Sequence, residues 1–137
     1  MSEYLFVYGT LRRDYDLKLK NRLSHLLEYA GQGKVSASLY DLGRYPGAIR
    51  DRKGAEVIGD LFLLTDPERV LKVLDKYEGL SGPDDKKAEF VRQKTSVRMR
   101  SGGQKKAWIY WYNSDPANKV RIKQKNYLNY LKNKSIT

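Results

Sequence analysis

The sequence predicts an α+β fold, a small mixed β-barrel or strongly bent sheet of about five to six strands with flanking helices. Short β-prone runs recur along the chain and are separated by turn residues, as expected for several short strands. Two stretches have the apolar spacing of amphipathic helices, residues 19–29 and the segment that begins at Pro67. The candidate functional motifs lie where these elements end.

Length and composition predict one domain covering residues 1–137, with residues 113–137 as a basic C-terminal packing segment. Of the 137 residues, 40% are hydrophobic and 12% are aromatic, which is enough for a single folded core. No apolar run is long enough to cross a bilayer, and a start with acidic Glu3 is unlike a secretory signal. We therefore expect a cytoplasmic protein that does not bind membranes.

The counts of cysteine and histidine exclude or disfavour two kinds of site. The chain has no cysteine, which excludes disulfides, thiolate metal sites and a cysteine nucleophile. His25 is the only histidine, lies off the apolar stripe of the predicted helix at 19–29, and has no partner histidine for a metal site. These counts do not predict a metal site.

The formal net charge of +11 leaves a basic nucleic-acid-associated module open as an alternative function. The basic residues are spread along the chain rather than gathered in one tail, which is also typical of a lysine-rich surface. Near the C-terminus they alternate with Tyr127 and Tyr130, as in a surface that stacks nucleic-acid bases. The structural alternative is a short helix that packs on the body through Tyr127, Leu128 and Leu131.

The first predicted strand ends in the first candidate site. Leu5-Phe6-Val7 form a buried β-prone run, which Tyr8-Gly9-Thr10 interrupts. Gly9 has no Cβ, so a ligand can approach the backbone closely and unusual φ values cost little. Such a turn can direct backbone N–H groups toward an anion or a developing oxyanion, although strand–glycine turns without a function are also common.

The elements between this turn and the second helix follow from local patterns. The leucines of residues 19–29 predict an amphipathic helix that is closed by Gly31 and Gly33. Three further elements are predicted: a strand at Val35–Leu42, a turn at Tyr45-Pro46-Gly47 and a buried strand at Val57–Leu64.

The second helix ends at the second candidate site. Thr65 or Asp66 can cap it, and Pro67 suits its first helical position. Its apolar stripe continues to Glu78, which lies four residues beyond Leu74. Burial and the negative end of the helix dipole both raise the pKa of a carboxyl group there, which makes it a better base near neutral pH. The alternative is a frayed helix end with Glu78 in water.

The last two predicted strands form a hairpin. Phe90–Met99 alternates as a half-exposed strand, Ser101-Gly102-Gly103 is a turn, and Ala107–Tyr112 is a strand with a dense aromatic run. We expect core packing for about half of these aromatic rings. The side chain of Tyr110 or Tyr112 can supply a hydroxyl group to a cavity.

Phe6–Arg12 resembles the N-terminal signature of the γ-glutamylcyclotransferase-like proteins, which include γ-glutamylamine cyclotransferases and AIG2-like proteins. Further stretches agree in order and spacing: Leu39–Gly43 with Tyr45–Ala48, then Gly59–Leu63, then Leu74–Gly79. The resemblance covers about residues 4–112. It implies a compact β-barrel with flanking helices and a cavity at one mouth.

The resemblance also implies an enzyme that releases 5-oxoproline and a free amine from a γ-glutamyl amine or peptide by internal attack of the α-amine. In that reaction Glu78 is the general acid/base, without metal or cofactor. The implied substrate-binding residues are Tyr8, Gly9, Thr10, Leu11 and Arg12, with Tyr110 and Tyr112 as candidate hydroxyl donors. The sequence departs from the family at Phe90-Val91-Arg92, where relatives often carry Tyr-x-Arg. A catalytically silent member that binds a small metabolite or a partner protein is the alternative, and the sequence does not indicate an oligomeric state.

Overall fold

The computed structural model describes residues 2–8, 23–43, 46–77, 89–127, 129–130 and 132. Its strands are β1 (Glu3–Val7), β2 (Leu27–Asp41), β3 (Pro46–Arg50), β4 (Glu56–Leu64), β5 (Phe90–Met99), β6 (Gln104–Tyr112) and β7 (Val120–Ile122). The principal helix is α1 (Pro67–Tyr77), and a short 3₁₀ helix at Ser24–Leu26 precedes β2. In these described ranges, none of the helices has the length and apolar character that a bilayer crossing requires.

Five strands close into a barrel in the order β1-β4-β2-β3-β6, and β6 returns to β1. Neighbours are antiparallel except at β6, which is parallel to β1 at Leu5 and Trp108 and parallel to β3 at Ala48 and Trp111. β5 lies antiparallel to β6 along almost its whole length, and β7 pairs with the end of β2. The prediction of a small mixed barrel is confirmed.

Side chains alternate along β1 between two apolar cores, because successive residues of a strand point to opposite faces. Phe6 lies inside the barrel with Ile109, and both are almost fully buried. Leu5 and Val7 lie on the outer face, where Leu74 of α1 covers them. The helix therefore packs across the ends of β1 and β6, and this packing sets where its last turn lies.

The start of α1 agrees with the predicted signal. Asp66 is the residue that caps it, since its Oδ1 accepts a hydrogen bond from the backbone N–H of Arg69 at 3.3 Å. Pro67 occupies the first helical position, where a missing N–H costs nothing. The helical stretch near the C-terminus is also present, because the backbone N–H of Tyr130 donates to the carbonyl of Asn126 at 3.2 Å.

The prediction of a helix at residues 19–29 is wrong for its C-terminal part, and residues 19–22 lie outside the described ranges. The chain is already extended from Leu27, which pairs with Leu64 of β4. Pairing with β4 overrides the helical spacing of the leucines, as tertiary contacts often do. Gly31 lies inside β2 at an irregularity, with φ of 122°, and therefore does not end an element.

Two smaller predictions also need correction. Pro46 and Gly47 begin β3 instead of forming a turn, while Tyr45 lies outside the described residues. Gly33 lies inside β2, where a Cβ would come within 2.5 Å of Val97 Cγ1, so the glycine allows β5 to approach β2.

β7 was not predicted, because three residues in a strongly charged segment carry almost no alternation of apolar and polar side chains.

Asp51, in the loop between β3 and β4, should make the free energy of unfolding depend on pH in the acid range. Its carboxylate accepts a short hydrogen bond from Ser38 Oγ and one from the backbone N–H of Lys53 at 2.6 Å. These bonds, with the nearby charges of Arg121 and Lys53, lower the pKa of Asp51 below its ordinary value of 3.8. A lowered pKa stabilises the folded protein above about pH 4, and this contribution is lost as the pH falls through the folded-state pKa.

We therefore expect the free energy of unfolding to fall less between about pH 5 and pH 3 in Ser38→Ala than in the unchanged protein. Urea unfolding at several pH values in this range measures the difference. Parallel pH curves for the two proteins would show that the Ser38–Asp51 bond does not contribute.

Candidate active site

One end of the barrel gathers the predicted site residues that the structure describes. Tyr8 directly follows β1, Ala48 lies early in β3, and Tyr110 and Tyr112 lie at the end of β6. The last turn of α1, with Asp75, packs beside them. The sequence predicted Tyr8, Tyr110 and Tyr112 as site residues in separate segments, and the closed barrel brings them to one mouth.

The hydroxyl group of Tyr8 joins three strands at this mouth. It donates a hydrogen bond to the backbone carbonyl of Tyr110 at 2.5 Å and accepts one from the backbone N–H of Ala48 at 3.1 Å. The side chain of Tyr8 is buried. Tyr8 therefore fixes the point at which the chain leaves β1 toward Gly9. Its hydroxyl group bonds to backbone groups of β6 and β3.

Asp75 binds two side chains from the β5–β6 hairpin. Tyr110 Oη donates to Asp75 Oδ1 at 2.6 Å, Arg92 Nε donates to the same oxygen at 2.8 Å, and Arg92 Nη2 donates to Oδ2 at 3.1 Å. Arg92 and Tyr110 lie directly opposite each other on β5 and β6. A carboxylate held by a bidentate guanidinium and a phenol is among the strongest arrangements available to side chains. The last turn of α1 is thus fixed to the sheet.

Trp108 holds the guanidinium of Arg92 from a second side. The Arg92 Cζ lies 4.5 Å from the centroid of the Trp108 ring, and Lys94 Nζ lies 4.9 Å from the same centroid. Lys94 in turn forms an ion pair with Glu3, with 3.0 Å between Nζ and Oε2. Stacking and cation–π attraction restrict the rotamers of Arg92, so its position toward Asp75 is well defined.

Tyr112 differs from the other two predicted tyrosines. Its ring packs edge-to-face on Phe90 with 6.0 Å between centroids, and a Cβ at Gly47 would lie 2.9 Å from its own Cβ. Its hydroxyl group makes no hydrogen bond with any residue in the described ranges, and the side chain is half-buried. Of Tyr8, Tyr110 and Tyr112, it is therefore the one with an uncommitted hydroxyl group among the described contacts.

Five of the predicted site residues lie outside the described ranges: Gly9, Thr10, Leu11, Arg12 and Glu78. The structure describes the residues that directly precede two of them, Tyr8 before Gly9 and Tyr77 before Glu78. Asp75 and Arg92 were not predicted as site residues. Their pairing joins residues 17 positions apart, and no local pattern in the sequence contains it.

The described part of the chain contains no set of side chains suited to bind a metal ion. No group of three or more His, Cys, Asp or Glu side chains there is arranged to hold a metal ion. The acidic residues of this mouth instead accept hydrogen bonds from protein donors, as Asp75 does.

A basic groove lies near the ion pairs of Glu56. Arg98 and Lys125 both form ion pairs with Glu56. Beside them is an open groove of about 420 Å³ whose lining includes Lys34 and Arg100. It lies near the turn of the β5–β6 hairpin, away from the strand ends that hold Tyr110 and Tyr112.

The two tyrosines of the nucleic-acid alternative are not exposed as that alternative requires. Tyr127 is only 2% exposed, and its ring stacks on Tyr130 with 6.2 Å between centroids. Tyr130 is half-buried and donates a hydrogen bond to Asp41 Oδ2 at 2.7 Å. Tyr127 belongs to the barrel core and Tyr130 packs against it, while the side chains of Leu128 and Leu131, the other two residues of the predicted helix face, lie outside the described residues.

Comparison of the sequence with known proteins identifies the family. The family model described as gamma-glutamyl cyclotransferase, AIG2-like, matches residues 5–129. A protein of Methanocaldococcus jannaschii, provisionally named gamma-glutamylcyclotransferase, is 30% identical over 115 residues, which cover 80% of this chain and 84% of that protein.

Two solved structures have a similar fold at low sequence identity. An AIG2-like protein from Mus musculus is 22% identical with a TM-score of 0.73, and the match covers 92% of this chain and 88% of that one. The YkqA protein from Bacillus subtilis is 20% identical with a TM-score of 0.73. The match covers 100% of this chain and 44% of the YkqA chain, so this chain spans less than half of that protein.

The Tyr8 hydroxyl group should contribute measurably to stability. Tyr8→Phe leaves the N–H of Ala48, a fully buried residue, without this acceptor, and an unsatisfied buried donor costs about 1–3 kcal/mol. We expect a loss of that size in the free energy of unfolding, measured by urea denaturation. Tyr4→Phe in β1 is the matched control, since the exposed contact of Tyr4 with Lys105 Nζ is 3.4 Å long. Equal, small losses in both variants would contradict this role of Tyr8.

Proposed function

Since this chain belongs to the gamma-glutamyl cyclotransferase, AIG2-like family, we propose that it releases 5-oxoproline and a free amine from a γ-glutamyl amine or peptide. One observation supports this proposal beyond the family membership. The residue before Gly9 and the helical turn before Glu78 are both hydrogen-bonded to the same residue, Tyr110. The proposed reaction requires that the Gly9 segment and the Glu78 carboxylate lie close together at this mouth.

The proposed reaction is an internal displacement. The α-amine of the γ-glutamyl group attacks its own γ-carbonyl carbon, a new C–N bond closes the five-membered ring, and the bond to the leaving amine breaks. Glu78 takes the proton from the attacking amine and passes one to the leaving amine, so a single carboxylate serves as base and then as acid. The enzyme holds the two ends of the substrate together, which is an effect of orientation.

The turn after β1 is proposed to hold the charged parts of the substrate. Backbone N–H groups of Gly9, Thr10 and Leu11 would donate to the α-carboxylate and to the developing oxyanion, and Arg12 would add positive charge. The buried hydroxyl group of Tyr8 supports this assignment from the fold, because it fixes the start of the turn through two backbone hydrogen bonds.

Tyr112 is proposed as the tyrosine that contacts the substrate. Tyr8 and Tyr110 use their hydroxyl groups within the protein, whereas that of Tyr112 makes no hydrogen bond in the described part of the chain. Its ring is fixed against Phe90 and the backbone of Gly47. A rigid ring whose hydroxyl group has no partner among the described residues suits the recognition of a polar substrate.

Glu78→Gln should lower turnover by about 10²–10⁴-fold, because an amide cannot take the proton of the attacking amine. The measurement is 5-oxoproline release from a panel of γ-glutamyl amines and γ-glutamyl dipeptides. Glu68→Gln, an exposed change in the first turn of α1, is the matched control and should retain full turnover.

Equal turnover in the unchanged protein and in Glu78→Gln would remove Glu78 from the mechanism. No turnover on any compound of the panel would contradict the proposed activity and favour a silent binding protein. Binding of the same compounds, measured by calorimetry, would then identify that alternative.

Tyr112→Phe should raise KM by about 3–10-fold and leave kcat almost unchanged, since one hydrogen bond that binds substrate and transition state equally is removed. Steady-state kinetics on the preferred substrate measures both constants. An unchanged KM would contradict the contact between Tyr112 and the substrate.

A further inference from the structure

We infer that Tyr110 is a positioning residue that holds the two halves of the proposed site at a fixed separation. The inference rests on the proposed function and adds a role for a residue that does not itself contact the reacting atoms. Tyr110 binds one half through its backbone carbonyl and the other half through its side chain. The first half is the segment that continues from Tyr8 to Gly9, and the second is the end of α1 that leads to Glu78.

The backbone carbonyl of Tyr110 holds the first half. It accepts the 2.5 Å hydrogen bond of Tyr8 Oη, and Tyr8 is the residue directly before Gly9. Both tyrosines are buried, each 6% exposed, so water does not compete strongly for this bond. The bond involves the main chain of Tyr110 and persists when the side-chain hydroxyl group of Tyr110 is removed.

The side chain of Tyr110 holds the second half. Its hydroxyl group donates to Asp75 Oδ1 at 2.6 Å, and Asp75 lies three residues before Glu78 in the chain. Helix ends lack part of the backbone hydrogen bonding of the helix interior and fray unless side chains hold them. The link from Asp75 to β6 therefore restricts the turn of α1 from which the chain continues to Glu78.

Arg92 makes this link rigid. It lies opposite Tyr110 on β5, binds both oxygens of Asp75, and stacks on Trp108 at 4.5 Å. The carboxylate is thus held by three donors from two paired strands, which leaves it little freedom to rotate. β6 itself pairs with β1, β3 and β5, so Tyr110 lies on a strand that is joined to three others.

The two hydrogen bonds of Tyr110 can be removed separately, and their loss should change kcat and KM differently. Tyr110→Phe removes the link to Asp75 and keeps the backbone bond to Tyr8, so it should disturb the position of the general base and spare the turn that binds substrate. A misplacement of about 1 Å at a reacting group lowers the rate by about 10²-fold. We expect Tyr110→Phe to lower kcat by about 10–100-fold while KM stays within about twofold. Asp75→Asn, which also removes the negative charge that Arg92 binds, should lower kcat at least as much.

Tyr8→Phe is the opposite case. It removes the bond to the Tyr110 carbonyl and leaves the Asp75 link in place, so its main effect should be a higher KM. The double variant Tyr110→Phe/Asp75→Asn should be no slower than Asp75→Asn alone, because the Tyr110 hydroxyl group acts through its bond to the Asp75 carboxylate.

The control must remove a similar bond elsewhere. Tyr130 donates to Asp41 at 2.7 Å and is half-buried, so Tyr130→Phe matches Tyr110→Phe in chemistry and in the expected loss of thermal stability. A purely structural role of Tyr110 predicts the same kinetics for both variants. The positioning role predicts a lower kcat for Tyr110→Phe alone, at a temperature where circular dichroism shows every variant folded.

Arg92→Lys provides a second test if Tyr110→Phe does not fold. It keeps the positive charge and loses the bidentate geometry, so kcat should fall with KM unchanged, whereas Arg98→Lys in the Glu56 ion pair should not change kcat. Unchanged kcat in Tyr110→Phe and Asp75→Asn, with turnover abolished in Glu78→Gln, would overturn this inference and leave the proposed function intact. If the protein without any substitution shows no turnover on any γ-glutamyl compound, both this inference and the proposed function are wrong.

Discussion

The closure of the barrel depends on a buried hydroxyl group, that of Tyr8. β6 is joined to β1 and to β3 by parallel contacts of one residue pair each, which is little for a strand that closes a barrel. Tyr8 reinforces both junctions, because it follows β1, donates to the backbone of β6 and accepts from the backbone of β3. The same bonds determine where the chain departs toward Gly9. Barrel closure and the geometry of the candidate site are therefore set by the same contacts.

The charge at the mouth is organised around Asp75. A carboxylate in a partly buried position is costly unless donors surround it, and Arg92 and Tyr110 supply three hydrogen bonds. These bonds join α1 to the sheet near its C-terminal end, while Leu74 packs on the outer face of β1. Apolar packing places the helix along the barrel, and the polar contacts fix its last turn. A reaction that relies on orientation benefits from this division, since precise placement of the base is its main requirement.

The elements predicted correctly are those whose signal is local. β1, β4, α1 and β5 follow from alternation, from apolar runs or from the Asp66-Pro67 start signal, all within about ten residues. The helix expected at residues 19–29 fails beyond Leu26 because the chain there pairs with β4, which is distant in sequence. The Asp75–Arg92–Tyr110 contacts were not predicted for the same reason, since Tyr110 lies 35 residues from Asp75. The resemblance to the family supplied Glu78 and the Gly9 turn, which local patterns alone only suggested.

The position of the site can be measured directly by titrating isotope-labelled protein with 5-oxoproline and following the backbone amide shifts by NMR. We expect saturable shifts at Ala48, Tyr77 and Tyr112, around the mouth that Tyr8 and Tyr110 hold together, and small changes at Lys34 and Arg100. Saturable shifts confined to the basic groove of Lys34 and Arg100, or no saturable shifts at all, would contradict a product site at this end of the barrel.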